Sequence, residues 1–326
     1  MKICIVGAGA VGGLIGTRIA ALGEAEVSAV ARGETLAALK THGWRAQRDG
    51  ILLAGPLADA SAEPGALGAQ DLVIVAVKTT AMAAVAAGIA PLFGPETIVL
   101  PAMNGVPWWF TQGLTGLGTA PLESVDPGGA IAAAIPLSHV IGGVVHLSAA
   151  TAEPGLVLHR HGAGLVIGEP DGTSSPRLQR VADLLTRAGF DVTVSPAIRR
   201  DIWYKLWGNL TMNPVSALTG ATGDRMLDDP LVREFCSAAM REAAVIGARI
   251  GCAIDQDPEA RHAITRQLGA LRTSMLVDVE RGRSLELDAI VTAVHELGSR
   301  TGVPMPSIGA LLGLTRLFAR THGLYP

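Results

Sequence analysis

Three polar residues recur at every fourth position in the mostly apolar segment 205–213, KLWGNLTMN: Lys205, Asn209 and Asn213. On an α-helix, residues i, i+4 and i+8 form one slanting stripe on a single face. Solvated stripes are the commoner meaning of such a pattern, but they favour Glu, Lys and Arg, whereas Asn is a poor helix former. Pro214 comes next and predicts a disturbance of the helix there. The residue types therefore favour a functional stripe.

A lysine accompanied by carboxamides suits the reduction of a carbonyl group. When a nicotinamide transfers hydride to a carbonyl carbon, the oxygen gains negative charge and requires a proton. A lysine can donate that proton when desolvation and neighbouring groups lower its pKa towards neutrality. Carboxamides can bind a substrate carboxylate or hydroxyl, or hold the lysine in place. We therefore predict that Lys205 is a proton donor and that Asn209 and Asn213 share its face.

A second segment, 273–290, carries a further candidate for acid–base chemistry. We expect Ser274 to lie in a helix that Gly282 ends, and Ser284 to cap the next helix, which would place Glu286 in its first turn. The helix dipole favours a carboxylate at that place. Glu286 could pair with a buried lysine or accept a hydrogen bond from a substrate hydroxyl. Acidic residues are also common at helix starts that carry no function.

The N-terminal segment KICIVGAGAVGG contains the pattern Gly7-x-Gly9-x-x-Gly12. The bare pattern is weak in a chain with 40 glycines, but here it follows a short apolar strand and opens a helix. In a dinucleotide-binding fold the first glycine permits a tight turn, the second lets the backbone approach the pyrophosphate, and the third allows close helix–strand packing. The predicted cofactor loop comprises Gly7, Ala8, Gly9, Ala10, Val11 and Gly12.

The end of the second strand indicates which dinucleotide would bind. An NAD enzyme would carry Asp or Glu about 20 residues past the glycines to hold the ribose 2′-hydroxyl. This chain has Arg32 there, followed by Gly33. A guanidinium suits a 2′-phosphate, which it can bind through two parallel hydrogen bonds. We therefore expect NADP(H), with a solvated arginine paired to Glu34 as the alternative.

Two more polar residues follow predicted parallel strands, at the edge where ligands of such sheets bind. Lys78 ends DLVIVAVK, and Asn104 ends TIVLPAMN just before Gly105. A lysine after a buried strand is often a surface residue, and asparagine before glycine is often only a turn. Because both follow strands beside the glycine loop, they are candidate ligand contacts.

Alternating strand and helix patterns predict a doubly wound α/β sheet of the Rossmann type in the first part of the chain. Later strands include antiparallel ones, and after Pro196 the pattern becomes helical throughout. We predict an NADP-binding Rossmann-type domain at 1–196 and an all-helical substrate and catalytic domain at 197–326. The strand candidates are 2–6, 26–32, 71–77, 97–104, 139–151, 155–169 and 191–196, and the early helix candidates are 11–23 and 79–93.

The composition excludes several classes of protein. The 326 residues are 49% hydrophobic and 17% charged with a net charge of −3, which argues against nucleic-acid or membrane-surface partners. Cys4, Cys236 and Cys252 form no CxxC pair, which argues against disulfides and a metal site and suits a reducing compartment. The N-terminus shows no basic leader with a cleavage site. We expect a cytoplasmic protein with no metal and no membrane span.

As a set, the motifs resemble those of the ketopantoate reductase (2-dehydropantoate 2-reductase) family. The resemblance covers nearly the whole chain and lies in GxGxxG, ARG after the second strand, VK, NG, KxxxNxxxNP and SM…D…RG…ELDAI, in that order. It implies a Rossmann-type domain followed by a helical domain. It also implies NADPH-dependent reduction of 2-dehydropantoate to (R)-pantoate in pantothenate biosynthesis, on the coenzyme A pathway.

The resemblance further implies a role for each matching residue. Lys205 would be the general acid that faces the C2 carbonyl oxygen beside the coenzyme, and Glu286 would contact that oxygen or Lys205. Four residues would bind the substrate, of which the first also lies beside the cofactor: Asn104, Asn209, Asn213 and Ser274. Two cations would recognise the NADP phosphate: Arg32 and Lys78.

The chain departs from the family pattern in three places. Pro107, Trp108 and Trp109 make the stretch after Asn-Gly bulky, 112–140 is longer than the family needs, and Ala81 stands where relatives can carry a polar cofactor contact. We expect the first two to reshape the substrate pocket or to form an oligomer contact. The substrate could therefore be another 2-oxo acid, and a non-catalytic NADP-binding regulator is a further alternative. Alanine-rich C-terminal helices would suit a homodimer.

Arg32→Ala should abolish the preference for NADPH over NADH, because the guanidinium would no longer bind the 2′-phosphate. The measurement is the ratio of kcat/KM for the two coenzymes in the wild type and the variant. If the preference survives, the phosphate is held by other residues.

Overall fold

The computed structural model describes residues 1–114, 116–118 and 120–326. Thr115 and Thr119, which belong to the long segment 112–140, lie outside the described residues. The chain forms two compact units. Unit 1 comprises Met1–Met103 and Ala130–Asp201, and unit 2 comprises Asn104–Gly129 and Ile202–Pro326.

Within the described residues, unit 1 contains two five-stranded β-sheets together with helices. One sheet follows the order β5-β2-β1-β6-β7 and the other the order β10-β9-β3-β4, with β8 paired to β9, once the elements are numbered along the chain. These elements are β1 (Lys2–Val6), α1 (Ala10–Leu22), β2 (Glu26–Val30), α2 (Gly33–His42), β3 (Trp44–Arg48), β4 (Ile51–Gly55), β5 (Ala60–Ser61), β6 (Gln70–Val75), α3 (Met82–Gly88), β7 (Phe93–Pro101), α4 (Ala130–Ala134), β8 (Gly142–Glu153), β9 (Leu156–Gly168), α5 (Pro176–Arg187) and β10 (Asp191–Val194).

The first sheet is parallel throughout, and β1 lies at its centre. Ile3, Cys4 and Ile5 of β1 are fully buried, as expected for a parallel strand that is covered on both faces. The first four predicted strands all belong to this sheet, although the fourth begins earlier than predicted and ends at Pro101. Their near-continuous apolar character is therefore what places them here.

The second sheet contains the later predicted strands and a hairpin that the prediction missed. β8 and β9 pair antiparallel, whereas β9 pairs in parallel with both β3 and β10. The hairpin β3–β4 turns at Asp49 and Gly50, whose φ angles are 50° and 79°. An Asp-Gly pair next to an apolar run is a hairpin signal, so the sequence did carry this information. Helices α2 and α5 are also absent from the prediction.

The helix predicted at 79–93 is interrupted in the structure. A 3-10 turn covers Thr79–Ala81, α3 covers only Met82–Gly88, and a second 3-10 turn covers Ala90–Leu92. Pro91 lies in that second turn and has no N–H with which to continue an α-helical ladder. The prediction of one long helix was therefore wrong.

Unit 2 is built from helices and loops. Within the described residues, no helix combines the length and the apolar character that a membrane crossing needs. Together with the parallel sheet of unit 1, the helical unit 2 confirms the predicted fold class. The elements are α6 (Ile198–Thr219), which begins in unit 1, then α7 (Gly223–Asp228), α8 (Pro230–Arg249), α9 (Pro258–Arg266), α10 (Ser274–Glu280), a π-helical segment (Asp288–Thr292), α11 (Ala293–Thr301) and α12 (Pro306–Thr321).

Helix α6 runs through Pro214 and ends at Thr219, so the proline does not end the helix. Proline removes one backbone donor from the ladder, which normally costs about 3 kcal/mol in a helix interior. Here every residue from Leu210 to Ala217 is buried. The Ser216 hydroxyl also donates to the Asn213 carbonyl at 2.8 Å. Tertiary packing thus outweighs the local preference of proline.

The segment Asn104–Gly129 belongs to unit 2, although it falls inside the predicted domain 1–196. Glu296 of α11 fixes it by accepting hydrogen bonds from the N–H groups of Glu123 and Ser124, both at 3.0 Å. Such contacts join residues more than 170 positions apart, so no local pattern announces them. The predicted domain limits stay predictions.

Gly16→Ala should lower the free energy of unfolding by about 1–3 kcal/mol, the usual cost of overpacking a core. A Cβ at Gly16 of α1 would lie 2.5 Å from Trp44 Cζ3. The Trp44 ring cannot retreat freely, because its Nε1 donates to the Val27 carbonyl at 3.1 Å. Urea titration measures the change. Gly88→Ala is the matched control, since a Cβ there meets no atom within 4 Å and should cost nothing.

Candidate active site

The glycine loop of unit 1 is shaped by close backbone contacts. Gly7 has a φ of +93°, and a Cβ there would lie 2.6 Å from Val77 Cγ1. A Cβ on Gly12 would lie 2.2 Å from the Gly7 carbonyl oxygen and 2.9 Å from Ala76 Cβ. Both positions therefore require glycine: the first for its left-handed backbone, and the second for the close approach of α1 to the sheet.

The start of α1 presents an accessible helix N-terminus. Gly9 precedes the first turn of α1 in extended conformation, and a Cβ there would meet nothing within 4 Å. Gly9 is exposed, Ala10 and Val11 are half-buried, and Ala8 is buried. N–H groups at such an open N-terminus suit an anionic group such as a pyrophosphate. The loop thus fits a dinucleotide.

Arg32 and Lys78 follow the two strands that flank β1. Arg32 comes directly before α2, two positions after β2, and its side chain is exposed. In the described part of the chain, no ion pair joins Arg32 to Glu34, so the alternative of a paired arginine loses its support. Lys78 is half-buried and comes directly before the 3-10 turn Thr79–Ala81. Ala81, which departs from the family pattern, is the last residue of this turn. Both cations lie at the carboxyl edge of the parallel sheet, as does the glycine loop.

In unit 2, Lys205 of α6 contacts Asn104 directly. The Lys205 ammonium donates a hydrogen bond to Asn104 Oδ1 at 2.8 Å. The two residues are 101 positions apart, so this contact exists only in the folded chain. Both were singled out by sequence, Lys205 from its helical stripe and Asn104 from its place before glycine. The structure therefore brings together two candidates that arose from unrelated patterns.

Burial and one neighbouring charge set the protonation of Lys205. Burial lowers the pKa of the Lys205 ammonium from 10.5 to about 8, and the negative charge of Glu286 acts in the opposite direction. Glu286 is itself only 8% exposed. The electrostatic attraction between a carboxylate and an ammonium is stronger in a partly desolvated region than in water. Lys205 can therefore exchange a proton near neutral pH.

The rest of the stripe is not a solvated surface. Asn213 is only 4% exposed, and its Nδ2 has no hydrogen-bond partner among the described residues. Asn209 is half-buried. A buried amide donor without a partner carries a cost that a bound acceptor would remove. The arrangement suits the binding of a carboxylate or hydroxyl.

Glu286 lies directly before the helix and not in its first turn, so its predicted place was wrong. Leu287 precedes the π-helical segment, and no side chain caps it. The backbone carbonyl of Glu286 instead accepts the N–H of Ile290 at 3.3 Å. Gly282 does end the preceding helix, with a φ of +61° shortly after α10.

Ser274 is the exposed first residue of α10. The cap of this helix is the neighbouring Thr273, whose hydroxyl accepts the N–H of Leu276 at 3.1 Å. Thr273 also shares a hydrogen bond with Ser216 of α6 at 2.5 Å. This pair of hydroxyls fixes the start of α10 on the helix that carries Lys205, and Ser274 remains accessible.

Gly105 has a structural role that the sequence did not reveal, because an Asn-Gly pair is often only a turn. Its φ is +79°, and a Cβ there would lie 2.5 Å from the Ala289 carbonyl oxygen. The next residue, Val106, donates its N–H to that same oxygen at 2.8 Å. The close approach fixes the backbone that carries Asn104. An Asn-Gly pair alone could not have revealed the partner.

The two tryptophans after Gly105 are core residues. Trp108 is 3% exposed and Trp109 is fully buried, while the ring of Phe110 stacks on Trp203 with centroids 6.1 Å apart. Side chains this deeply buried present no surface to another subunit. The expectation that they form an oligomer contact was therefore wrong, and their bulk fills the interior of unit 2.

Comparison with known proteins gives consistent matches over most of the chain. The family described as "Ketopantoate reductase PanE/ApbA" matches residues 3–172, and "Ketopantoate reductase PanE/ApbA C terminal" matches residues 197–319. The 2-dehydropantoate 2-reductase of Mesorhizobium japonicum is 41% identical over 326 residues, which cover 100% of both chains.

Solved structures agree with these matches. A Ralstonia solanacearum MolK2 protein proposed to be a ketopantoate reductase superposes with a TM-score of 0.94 at 57% identity, over 99% of both chains. The 2-dehydropantoate 2-reductase of Geobacter metallireducens GS-15 superposes with a TM-score of 0.85 at 26% identity, over 98% of this chain and 100% of that one.

The protonation of Lys205 can be measured directly, because only the neutral amine reacts with acetic anhydride. The pH dependence of Lys205 acetylation, followed by peptide mass spectrometry, should have its midpoint at about 8. In Glu286→Gln the midpoint should move lower, since the carboxylate that favours the ammonium is gone. The exposed Lys40 serves as the internal reference for the reagent. A midpoint near 10.5 would contradict the desolvation of Lys205.

Proposed function

This chain belongs to the ketopantoate reductase family, and we propose that it reduces 2-dehydropantoate to (R)-pantoate with NADPH as the hydride donor. The matches confirm the family resemblance drawn from the motifs, and the chain is an oxidoreductase acting on a CH–OH/C=O pair. The choice of substrate is supported by the 41% identity to the Mesorhizobium japonicum enzyme of that name over the full chain.

One observation carries the proposal: Lys205 is bonded to Asn104 and has a pKa of about 8 because burial disfavours its charge. A general acid works best when its pKa lies near the working pH, since it then holds a proton and releases it readily. A lysine on a solvated helix face would hold its proton too tightly. The environment of Lys205 thus matches a carbonyl reductase.

The proposed reaction needs one hydride and one proton. NADPH, when bound, supplies the hydride to C2 of the 2-oxo acid. The Lys205 ammonium donates a proton to the carbonyl oxygen and becomes a neutral amine. Asn104 accepts one N–H of the ammonium and so fixes the direction of the others. The negative charge of Glu286 favours the protonated amine until negative charge develops on the carbonyl oxygen and the proton is transferred.

The remaining polar residues of unit 2 are assigned to substrate binding. We assign the unpaired Asn213 amide as a donor to the substrate carboxylate or hydroxyl, with Asn209 one turn before it on the same face of α6. Ser274 would add a hydroxyl from the start of α10. Removal of a buried donor's only partner costs about 1–3 kcal/mol, so a substrate that supplies that partner gains specificity.

NADP(H) is the coenzyme that the residues of unit 1 fit best. The open N-terminus at Gly9 can receive a pyrophosphate, and the exposed guanidinium of Arg32 has no ionic partner in the described part of the chain. Lys78 would add a second cation at the same edge of the sheet. A neutral ribose hydroxyl would leave the Arg32 charge unused, whereas a 2′-phosphate would engage it.

The cellular setting forms a further part of the proposal. Reduction of 2-dehydropantoate belongs to pantothenate biosynthesis, on the route to coenzyme A. Cys4, Cys236 and Cys252 are buried and none of them forms a disulfide in the described part of the chain, which fits a reducing compartment such as the cytoplasm. A homodimer stays a prediction.

A substrate panel tests the proposed function. NADPH oxidation would be followed with 2-dehydropantoate and with branched, aromatic and hydroxylated 2-oxo acids, and each would be repeated with NADH. The highest kcat/KM should belong to 2-dehydropantoate with NADPH. A higher value for another 2-oxo acid would reassign the substrate. Binding of NADPH without turnover of any 2-oxo acid would favour a regulator.

Lys205→Ala should lower kcat for the reduction by about 100-fold or more, because the proton donor is lost. The affinity for NADPH, measured by fluorescence titration, should change little. Lys40→Ala is the control, since that lysine is exposed on α2 and should leave the rate unchanged. Unaltered turnover in Lys205→Ala would remove this residue from the mechanism.

The pH profile of the wild type should also reflect the pKa of Lys205. Reduction needs the ammonium, so its kcat/KM should fall as the pH rises through about 8. Oxidation of pantoate needs the neutral amine, so its kcat/KM should rise through the same range. Steady-state rates between pH 6 and pH 10 in both directions, a range of about two units on each side, check this sign. Equal profiles in the two directions would contradict the assignment.

A further inference from the structure

The chain beyond α12 folds back onto the segment that carries Glu286. The Leu324 carbonyl accepts the N–H of Leu285 at 2.9 Å. The next side chain, Tyr325, donates its hydroxyl to Asp288 Oδ1 at 2.6 Å. These two contacts bracket Glu286, one residue before it and two residues after it.

The backbone on both sides of Glu286 is restrained. Leu285 and Leu287 are fully buried, and Glu286 itself is 8% exposed. Its carbonyl accepts the N–H of Ile290, which ties it to the π-helical segment. Because both neighbours are buried in the core, the backbone that carries the Glu286 side chain is held on both sides. The contacts that fix this backbone therefore set the point from which the carboxylate reaches Lys205.

The hydrogen bond between Tyr325 and Asp288 is retained over a wide pH range. Burial raises the pKa of Tyr325 to about 12, and its hydrogen bond to Asp288 acts in the same direction. The phenol therefore remains a donor throughout the pH range of the proposed reaction. Arg320 of α12 holds the same stretch by donating to the Pro326 carbonyl at 2.8 Å and by lying 5.7 Å from the centre of the Tyr325 ring.

We infer that Tyr325 is a positioning residue: its hydrogen bond to Asp288 holds Glu286 where the carboxylate supports the Lys205 ammonium. The inference rests on the proposed function, in which Lys205 is the proton donor. In this role Tyr325 acts through Asp288 and the backbone of Glu286. The alternative is that the residues after α12 only add packing to unit 2.

Tyr325→Phe separates these two roles, because it removes one hydroxyl and keeps the ring. The midpoint of Lys205 acetylation should fall by about half a pH unit, since a displaced carboxylate favours the ammonium less. At about pH 9 and above, kcat for reduction should then fall about threefold, in proportion to the lost protonated fraction. The KM for NADPH should stay the same, because unit 1 is unaltered.

Three further variants complete the test. Tyr204→Phe is the matched control: it removes the chain's other tyrosine hydroxyl, which donates to Gln256 Oε1 at 2.8 Å, and should leave the Lys205 midpoint in place. Asp288→Asn keeps an acceptor oxygen and should retain the wild-type midpoint. Asp288→Ala should reproduce Tyr325→Phe, and the double variant should be no worse than either single one.

A Tyr325→Phe protein that loses thermal stability but keeps the Lys205 midpoint and the wild-type pH profile would overturn the inference. If Tyr325→Phe does not fold, Asp288→Ala gives the same comparison against Asp288→Asn. A wild type that reduces no 2-oxo acid would remove the proposed function, yet the acetylation midpoints would still decide whether Tyr325 positions Glu286.

Discussion

The hydrogen bond from the Lys205 ammonium to Asn104 is the interaction on which unit 2 depends. Burying a cation is costly unless a partner compensates, and here a neutral amide and a carboxylate share that task. The amide alone would leave the pKa of Lys205 lower still, because only the carboxylate of Glu286 adds a negative charge that favours the ammonium. With Glu286 acting against desolvation, the pKa of Lys205 settles at about 8. The surrounding helices are arranged to keep this balance.

The two units use positive charge in opposite ways. Unit 1 presents backbone N–H groups and the exposed Arg32, which stays charged at any physiological pH and so suits the recognition of phosphate. Unit 2 partly buries Lys205 and desolvates its ammonium, so that the charge of this residue depends on its surroundings. Recognition requires a cation that never changes, whereas proton transfer requires one that does. The same elementary charge therefore serves two purposes, and solvent exposure decides which.

The sequence predicted the parts of the molecule that obey local rules. The alternation of strand and helix patterns predicted the parallel sheet. The four-residue spacing of polar residues predicted the stripe on α6 that contains Lys205. The continuation of α6 through Pro214, the start of the helix after Glu286 and the membership of Asn104–Gly129 in unit 2 depend on contacts between distant residues. The hairpin at Asp49 was missed for a different reason, because its turn signal was present and not used. Features that depend on contacts between distant residues could therefore not be predicted from the sequence, whatever the chemistry of the residues involved.

The π-helical segment Asp288–Thr292 imposes a strict spacing on the chain around it. A π-turn contains one residue more than an α-turn, so it behaves as a local insertion within a helix. Deleting one residue from this segment would restore ordinary helical spacing and rotate everything before it by about 100°. Glu286 would then face another direction, and the Ala289 carbonyl would leave Val106. An insertion or deletion in this stretch would therefore move the groups around Glu286, whereas a single substitution keeps the residue count.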